Sequence, residues 1–435
     1  MNRSILKLAI PNIISNITIP LLGLVDMILM GHLGSATYIG AIALGGTIFS
    51  VLYSFFSFLR AGTTGFTAQS LGSGDRYEII YSLYRSLAIG IPIIILILAL
   101  QIPIAKLSEI LLDGSDDVKS LALKYFYVRI WAAPANILLY CLNGWFVGMQ
   151  NTRIPMFIAI LINAMNIICS LFFVIILKQN VTGVALGTVL SQYSGLCFAF
   201  FMLIKNYKSY FVKVNKKTLF DFSKLKRFFK VNTDLMIRSF LLIISIAFFT
   251  NQSAKLGDNI LAINMILLQS FYIFSYFTDG FAYAGEALVG KYIGSSDRYS
   301  LTKVIKHLLI WGFSISIPFT ILYALFPSSF VKIISDNPNI LTDIRPYYIY
   351  MAIIPLITFA AFIWDGIYIG ATASKAIRNT MIISSIFVFF PAWHILTPRY
   401  ENHGLWTAFL CFMLARGIAM TLMARKNIIQ PIKIK

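Results

Sequence analysis

Long apolar runs alternate with short polar connections along this chain, and their lengths predict helices that cross a membrane. A helix needs about 20 mostly apolar residues to span the hydrocarbon core of a bilayer. Twelve runs are long enough: 7–30, 38–70, 80–107, 121–148, 154–177, 182–204, 231–254, 259–290, 303–327, 345–370, 377–397 and 403–424. The pattern therefore predicts an all-α integral membrane protein with twelve transmembrane helices.

The two halves of the chain share motifs at a constant spacing. GSGDRY at 72–77 recurs as GSSDRY at 294–299, and NGWFVG at 143–148 recurs at the same spacing as DGIYIG at 365–370. Two matches at one spacing indicate a tandem duplication of a six-span unit. Because six is even, both copies enter the membrane in the same direction. We therefore expect two six-helix lobes related by a parallel pseudo-two-fold repeat, as in transporters that rock two bundles around a central cavity.

A basic segment at 205–230 separates the two copies, with nine lysines or arginines and one acid, Asp221. Cytoplasmic loops of membrane proteins are enriched in basic residues. We therefore expect a cytoplasmic linker here, between an N-terminal lobe at 1–204 and a C-terminal lobe at 231–435. Both termini are then cytoplasmic, in a multi-pass protein of the cytoplasmic (inner) membrane. The first apolar run is too long for a signal peptide and is expected to remain as the first helix.

Composition supports a membrane protein and excludes several other classes. Hydrophobic residues make up 58% of the chain and charged residues 12%, with a mean hydropathy of +0.79, whereas soluble domains are about 25% charged. The net charge of +19 would suggest nucleic-acid binding only on a soluble basic domain, so no nucleic-acid partner is expected. The cysteines lack metal-ligand spacing, and no Walker lysine–serine pair follows the glycines. We expect no metal, no organic cofactor and no ATP-driven pumping.

Asp26 is the strongest candidate for a functional residue in the first half. It lies in the apolar stretch TIPLLGLVDMILMGHLG at 18–34, and no lysine or arginine lies within two turns of it on its own helix. A charge at the bilayer centre costs about 2.5–3.5 kcal/mol on insertion scales. Burial favours the neutral, protonated form of a carboxyl group. Asp26 is therefore suited to load and release a proton, and a hydrogen bond between packed helices is the alternative.

Polar side chains also recur in the predicted fifth and sixth helices. Asn163, Asn166 and Ser170 lie along one face of the fifth, because residues three and four apart stack on a helix. Thr188 follows in the sixth. Ordinary polar packing between helices is the alternative to a binding role.

The second half has acids of its own within predicted spans. Asp279 and Glu286 are seven residues apart, two turns along one helix face, and Asp365 lies in the tenth span. Acids inside the membrane usually mark ion or substrate pathways in transporters. These acids could attract cationic compounds or pair with Arg238 or Arg416, and the pattern leaves both alternatives open.

Three long segments carry a resemblance to a known family. They are KLAIPNIISNITIPLLGLVDMILMGHLGSATYIGAIALG at 7–45, FLRAGTTGFTAQSLGSGD at 58–75 and LAINMILLQSFYIFSYFTDGFAYAGEALVGKYIG at 261–294. They resemble the multidrug and toxic compound extrusion (MATE) family, and within it the DNA-damage-inducible protein F branch. The resemblance implies twelve helices in two six-helix lobes, and drug export driven by an inward flow of protons or sodium ions.

The resemblance also implies roles for individual residues. The first-helix aspartate of the family is its coupling-ion site, which Asp26 matches, and bending of that helix at the proline matched by Pro11 is proposed to accompany protonation. Members that bind sodium in the first lobe use an Asn–Asp pair four residues apart with a threonine downstream. Asn166 and Thr188 match this set, but Ser170 stands at the aspartate position. With one anionic ligand missing, the resemblance favours the proton over sodium.

We therefore predict a cation-coupled multidrug efflux antiporter that acts as a monomer in the lipid bilayer. It would export amphipathic or cationic compounds by alternating access, and the aromatic content of 15% suits a cavity for flat cations. A lipid-linked oligosaccharide flippase of the same superfamily is the alternative. Such a flippase is expected to have a strongly basic cavity for pyrophosphate, and Arg60, Arg129, Arg238 and Arg416 keep this alternative open. An enzyme is not expected. An integral-membrane transferase would need a clustered Asp-rich metal motif, and the one pair of adjacent aspartates, Asp116 and Asp117, lies in a predicted outer loop.

Overall fold

The structure is a computed structural model of the chain. It describes residues 1–31, 36–111, 115–213 and 215–431, and side chains within these ranges except those at 19, 21, 22, 24–28, 30, 31, 36, 111 and 216. Asp26 therefore lies in a helix whose backbone is described, but its side chain is outside the described residues.

Helices account for almost all of the described first half of the chain. In chain order they are α1 (Asn2–Gly31), α2 (Ala36–Phe56), α3 (Phe58–Ser73), α4 (Arg76–Ala99), α5 (Gln101–Leu111), α6 (Asp116–Arg129), α7 (Ala133–Gly148), α8 (Arg153–Leu171), α9 (Asn180–Tyr207) and the short α10 (Lys216–Leu219). A π-helical segment, Phe172–Ile176, extends α8, and a 3-10 turn, Ile130–Ala132, joins α6 to α7.

The second half follows the same plan. Its helices are α11 (Phe222–Lys255), α12 (Asp258–Gly294), α13 (Arg298–Leu325), α14 (Pro327–Ile334), α15 (Pro338–Asp343), α16 (Tyr348–Gly370), α17 (Ser374–Ile382) and α18 (Phe390–Ala424). A π-helical segment, Ile383–Phe389, joins α17 to α18, and another, Arg425–Ile429, follows α18.

The helices cross a membrane twelve times, as the hydrophobic pattern predicts. Ten stretches of the described residues are long and apolar enough to span a bilayer, and the last, Ser374–Ile429, contains 56 residues. That stretch forms two spans, because Glu401 interrupts α18 with φ 48° and ψ −124°. Gly404 lies just beyond the break, where a Cβ atom would overlap the backbone of Leu396. α1 supplies the remaining span.

Span boundaries differ from the hydrophobic runs in three places. The runs 38–70, 80–107 and 121–148 each contain two helices rather than one, separated near Ser57, Leu100 and Ile130. The third break precedes Pro134, which lies in the first turn of α7. Proline has no backbone N–H to continue a helix, whereas hydropathy records only that the surrounding residues are apolar.

The backbone repeats between the two halves in detail. α4 and α13 begin at matched positions, that is, at the spacing that relates GSGDRY to GSSDRY. Each helix is preceded by an aspartate whose side chain accepts backbone N–H groups of the first turn, Asp75 and Asp297. The residue before each aspartate has a positive φ, 74° at Gly74 and 57° at Ser296. The duplicated motif therefore encodes the same turn and helix start twice.

A second pair of matched positions brings helices into close contact. A Cβ atom on Gly144 of α7 would overlap the carbonyl oxygen of Arg60 in α3. One on Gly366 of α16 would overlap the carbonyl oxygen of Ala282 in α12. The two glycines occupy matched positions, and so do the two carbonyl groups, so both copies use the same close approach of small residues.

The chain forms two compact units. The N-terminal unit comprises 14–71 and 75–226, and the C-terminal unit comprises 1–13, 72–74 and 227–435. Most of the basic segment 205–230 thus belongs to the N-terminal unit.

The start of α1 packs within the C-terminal unit. Gly280 of α12 is so close to Ile13 and Ala9 that it has no room for a side chain, and Trp311 Nε1 donates to Asn2 Oδ1 at 3.2 Å.

Contacts with α4 hold the basic segment in place. Tyr81 Oη accepts from the backbone N–H of Asn215 at 2.9 Å, and Arg85 donates to the carbonyl oxygen of Thr218 at 3.2 Å. Glu78 pairs with Arg85 at 2.8 Å and also with Lys224. The linker is therefore a docked segment of the N-terminal unit.

Candidate ion and substrate sites within the spans

A buried polar cluster lies where α8 meets α9 in the N-terminal unit. Asn166 and Thr188 are almost completely buried, and Asn166 Nδ2 donates to Thr188 Oγ1 at 3.2 Å. Thr188 Oγ1 in turn donates to the carbonyl oxygen of Val184 at 3.1 Å. The structure therefore brings together two of the predicted residues from neighbouring helices.

Ser170 belongs to the same cluster, one turn after Asn166. It is fully buried and faces Gly187 of α9, where a Cβ atom would overlap Ser170 Oγ. Among the described residues, neither Ser170 Oγ nor Asn166 Oδ1 has a hydrogen-bond partner. Buried oxygens without partners cost free energy, so these two are suited to receive a cation, a water molecule or a protonated carboxyl group.

Asn163 lies one turn before Asn166 and is half-buried. Its Nδ2 donates to the carbonyl oxygen of Ala159 at 2.9 Å, and its buried Oδ1 has no partner among the described residues. Its donor group is thus used within its own helix, and its acceptor is left available.

Pro11 is buried in the first third of α1, two residues before the point where that helix passes from one compact unit to the other. α1 continues as a helix through Pro11. Next to it, Asn12 Nδ2 donates to the carbonyl oxygen of Leu8 at 3.0 Å. The missing proline N–H weakens the helix at this point.

The C-terminal unit contains a charged cluster around Asp365 of α16. Its Oδ2 accepts from Arg416 of α18 at 2.7 Å and also from Arg238 of α11. Arg416 is 1% exposed and also lies over the Phe412 ring at 5.6 Å. The sequence left two alternatives open for Asp365, attraction of cationic compounds and pairing with arginines. The structure shows the ion pairs.

Asp279 and Glu286 both lie on α12. Asp279 is half-buried and close enough to Arg416 and Tyr276 to interact with them electrostatically. Glu286 is 1% exposed and lies where Gly370 of α16 approaches its backbone most closely. The charged cluster of the C-terminal unit thus involves Asp279 as well as Asp365.

Arginines considered for a basic cavity have partners within the spans. Arg129 donates to Tyr125 Oη at 2.6 Å and lies over the Phe49 ring at 4.8 Å. Arg238 and Arg416 share Asp365. The carbonyl oxygen of Arg60 marks the close approach to Gly144 described above.

The structure also contains a buried polar network that the sequence did not reveal. Asn264 and Asn402 donate to each other at 2.7 and 3.0 Å, Asn264 also donates to Ser253 Oγ at 2.7 Å, and Trp406 Nε1 donates to Asn264 Oδ1 at 2.7 Å. Its members belong to three helices, so no local spacing indicates it.

Two six-span copies, polar groups inside the spans and a docked linker define a secondary membrane transporter. The MatE family model matches twice, at residues 11–172 and 235–393. The chain is 32% identical over 426 residues to DNA damage-inducible protein F of Escherichia coli (strain K12), covering 98% of this chain and 92% of that protein. It is 22% identical to a probable multidrug resistance protein NorM of Pasteurella multocida, covering 99% of this chain and 95% of that protein.

Solved structures share the fold. The Vibrio cholerae MATE transporter VcmN in its bent form superposes with a TM-score of 0.87 at 14% identity, covering 98% of this chain and 96% of that chain. The chain belongs to the MATE family of multidrug and toxic compound efflux transporters. It is accordingly a multi-pass membrane transporter of small molecules and not an enzyme.

Proposed function

We propose that this transporter is a proton-coupled antiporter of the bacterial inner membrane that exports amphipathic or cationic compounds. The observation that carries the proposal is the neutral polar cluster of Asn166, Ser170 and Thr188. Sodium prefers a cage of oxygens with negative charge, and this cluster supplies no carboxylate. In the first six spans the sequence places one acid amid a long apolar run, Asp26.

Asp26 is the proposed proton carrier. A single carboxyl group in an apolar span favours its protonated form, and it becomes negative only when water or a polar partner reaches it. Inward movement of one charge contributes about 2.3 kcal/mol per 100 mV of membrane potential, which supports a finite outward gradient of drug.

Pro11 is the proposed bending point that links protonation to the helix. α1 changes from one compact unit to the other just after Pro11, so a bend there alters how the Asp26 end of α1 lies without moving its first turns. The orientation that we propose puts both termini and the docked linker in the cytoplasm, and the unit of transport is a monomer.

The C-terminal acids have a different proposed role. Asp365 is held by two arginines, which makes it a poor site for a free cation, whereas Asp279 and Glu286 on α12 are proposed to line the substrate pathway. Asn163 is proposed to offer its acceptor to ions or substrate near the α8 cluster. A flippase for lipid-linked oligosaccharides would need arginines available for pyrophosphate, and the pairing of Arg238 and Arg416 does not favour it.

Drug uptake into inverted membrane vesicles tests the proposal. We expect an imposed pH gradient to drive uptake by the wild type and a sodium gradient at constant pH to have no effect. Asp26→Asn removes the proton-binding carboxyl group and should abolish the pH-driven uptake. A sodium gradient that drives the wild type would refute proton coupling.

Asp279→Asn is the matched control, because it also neutralises an intramembrane acid. We expect it to change the apparent affinity for a cationic drug and to retain uptake driven by the pH gradient. If pH-driven uptake survives in Asp26→Asn and disappears in Asp279→Asn, the proton site has been assigned to the wrong unit.

A further inference from the structure

A basic cleft opens at one end of the C-terminal unit. Its volume is about 300 Å³. It lies between the start of α11, the turn between α16 and α17, and the segment after α18. Its walls include Arg227, Lys230, Asp234, Thr372, Ser374 and Lys375.

The acid of the cleft is already neutralised. Asp234 is 2% exposed. Its Oδ1 accepts from Arg378 at 2.6 Å, and its Oδ2 accepts from Ser374 Oγ at 2.8 Å. Both carboxylate oxygens are therefore occupied, and Asp234 serves to fix the beginning of α17 against α11.

Positive charge remains in excess around the cleft. The segments 227–234, 371–378 and 424–431 contain six lysines or arginines and one acid. Lys230 and Lys375 are exposed on the cleft wall. α17 begins at Ser374, so the positive end of its dipole adds to the charge of these side chains.

The position of the cleft relates it to the membrane. Two membrane-crossing stretches contribute to the cleft: Ser374–Ile429 begins here, and Lys217–Lys255 passes it in the early turns of α11. Phe229, next to Lys230, is 52% exposed. Aromatic residues beside lysines are typical of the level of the lipid headgroups, and basic pockets among transmembrane helices bind anionic headgroups.

We propose that this cleft binds the phosphodiester headgroup of an anionic phospholipid. Lys230 and Lys375 contact the phosphate oxygens, and Thr372 and Arg227, joined at 3.3 Å, form the wall beside them. The exposed Phe229 ring favours a lipid over a free phosphate ion, because it suits the boundary between headgroups and acyl chains. This site is separate from the proposed coupling and substrate sites and does not depend on the coupling ion.

Native mass spectrometry of the purified full-length chain in detergent tests the site, with phosphatidylglycerol as the probe and phosphatidylcholine as the neutral comparison. Each lysine or arginine near an anionic lipid surface contributes about fivefold in affinity. The triple variant Arg227→Gln/Lys230→Gln/Lys375→Gln should therefore bind phosphatidylglycerol about a hundredfold more weakly. Unchanged binding would overturn the proposal.

Lys205→Gln/Lys208→Gln/Lys213→Gln is the matched control, since it removes the same charge from the linker. We expect it to retain phosphatidylglycerol binding, and an equal loss in the control would show diffuse attraction instead of a site. Inorganic phosphate is the second probe, and displacement of the lipid by millimolar phosphate would reassign the cleft to a free anion.

Single variants keep the test informative if the triple variant folds poorly. Lys375→Gln should lower the affinity about fivefold, and Lys375→Arg should retain it, because the charge is kept. Equal losses in these two variants would contradict a site based on phosphate charge.

Discussion

The two copies of the duplicated unit differ in the charged residues that they place inside the membrane. In the C-terminal unit, Asp365 is clamped by Arg238 and Arg416. The matched positions of the first copy hold Asn143, Asn16 and Ser194, which are all neutral. The same backbone plan therefore carries a charged cluster in one copy and uncharged polar side chains in the other.

At the positions of the α8–α9 cluster, the N-terminal unit is the more polar of the two. The N-terminal unit has the buried Asn166–Thr188 pair, and the matched residues of the C-terminal unit are Val388 and Leu410. Asp365 is held in place by two arginines from neighbouring helices, whereas the Asn166–Thr188 pair carries no charge. Duplication has thus separated roles: one copy holds paired charges inside its spans, and the other holds neutral polar groups at the matched positions.

Neutralising Asp365 should have the largest effect. Asp365→Asn leaves the buried Arg416 without a carboxylate, which typically costs about 3–5 kcal/mol in the free energy of unfolding. Unfolding of the purified variant in detergent measures the loss. Asn143→Ala is the control at the matched position and should cost about 1 kcal/mol or less. Equal stability of wild type and Asp365→Asn would mean that the charged cluster is not structural.

Adding a methyl group at the close helix approaches should destabilise both copies to a similar extent. Gly144→Ala and Gly366→Ala each place a Cβ atom against a backbone carbonyl, so the helices must separate, at a cost of about 1–3 kcal/mol. Gly46→Ala is the control, because nothing lies within 4 Å of its Cβ position. We expect it to be neutral or to stabilise α2 by up to about 1 kcal/mol. Thermal unfolding in detergent compares the three, and a costly change in one copy alone would show that the repeat has diverged there too.

Glu78 and Ser300 occupy matched positions but only Glu78 anchors the linker. Glu78→Gln removes the carboxylate shared by Arg85 and Lys224, and we expect a loss of about 1–3 kcal/mol because the Arg85 side chain is 5% exposed. The segment 205–226 should then become more accessible to trypsin. Ser300→Ala should leave the trypsin cleavage of the segment 205–226 unchanged. Identical digestion of wild type and Glu78→Gln would indicate that backbone contacts alone hold the linker.

The helix cap at the start of α13 should weaken slightly in acid. Hydrogen bonds from Ser300 hold the pKa of Asp297 below its ordinary value of 3.8. A depressed pKa means that this stabilisation is present above the ordinary pKa and lost as the pH falls below about 4. Between pH 6 and 3, the stability difference between wild type and Asp297→Ala should therefore shrink. A difference that stays constant over this range would contradict an ionised cap.

Hydropathy predicted the number of spans well but could not place every helix end. A hydrophobic run reports the free energy of burying side chains in lipid, and the breaks at Ser57 and Leu100 do not change it. Spacing along one helix predicted that Asn166 and Ser170 share a face, and the structure adds that this face meets Thr188. Spacing gives no sign of the ion pair between Asp234 and Arg378, because its members lie in different helices.

The sequence alone determined the membrane class, the twelve spans, the duplication and the family. These depend on local properties, since backbone groups in lipid must bond within their own helix and repeated motifs are visible letter by letter. The tertiary structure alone decided which charges pair. Asp365 meets residues 127 and 51 positions away, and Asn264 meets Asn402 across 138. Such partners are selected by how helices pack, because a buried polar group must find its partner wherever the fold brings one.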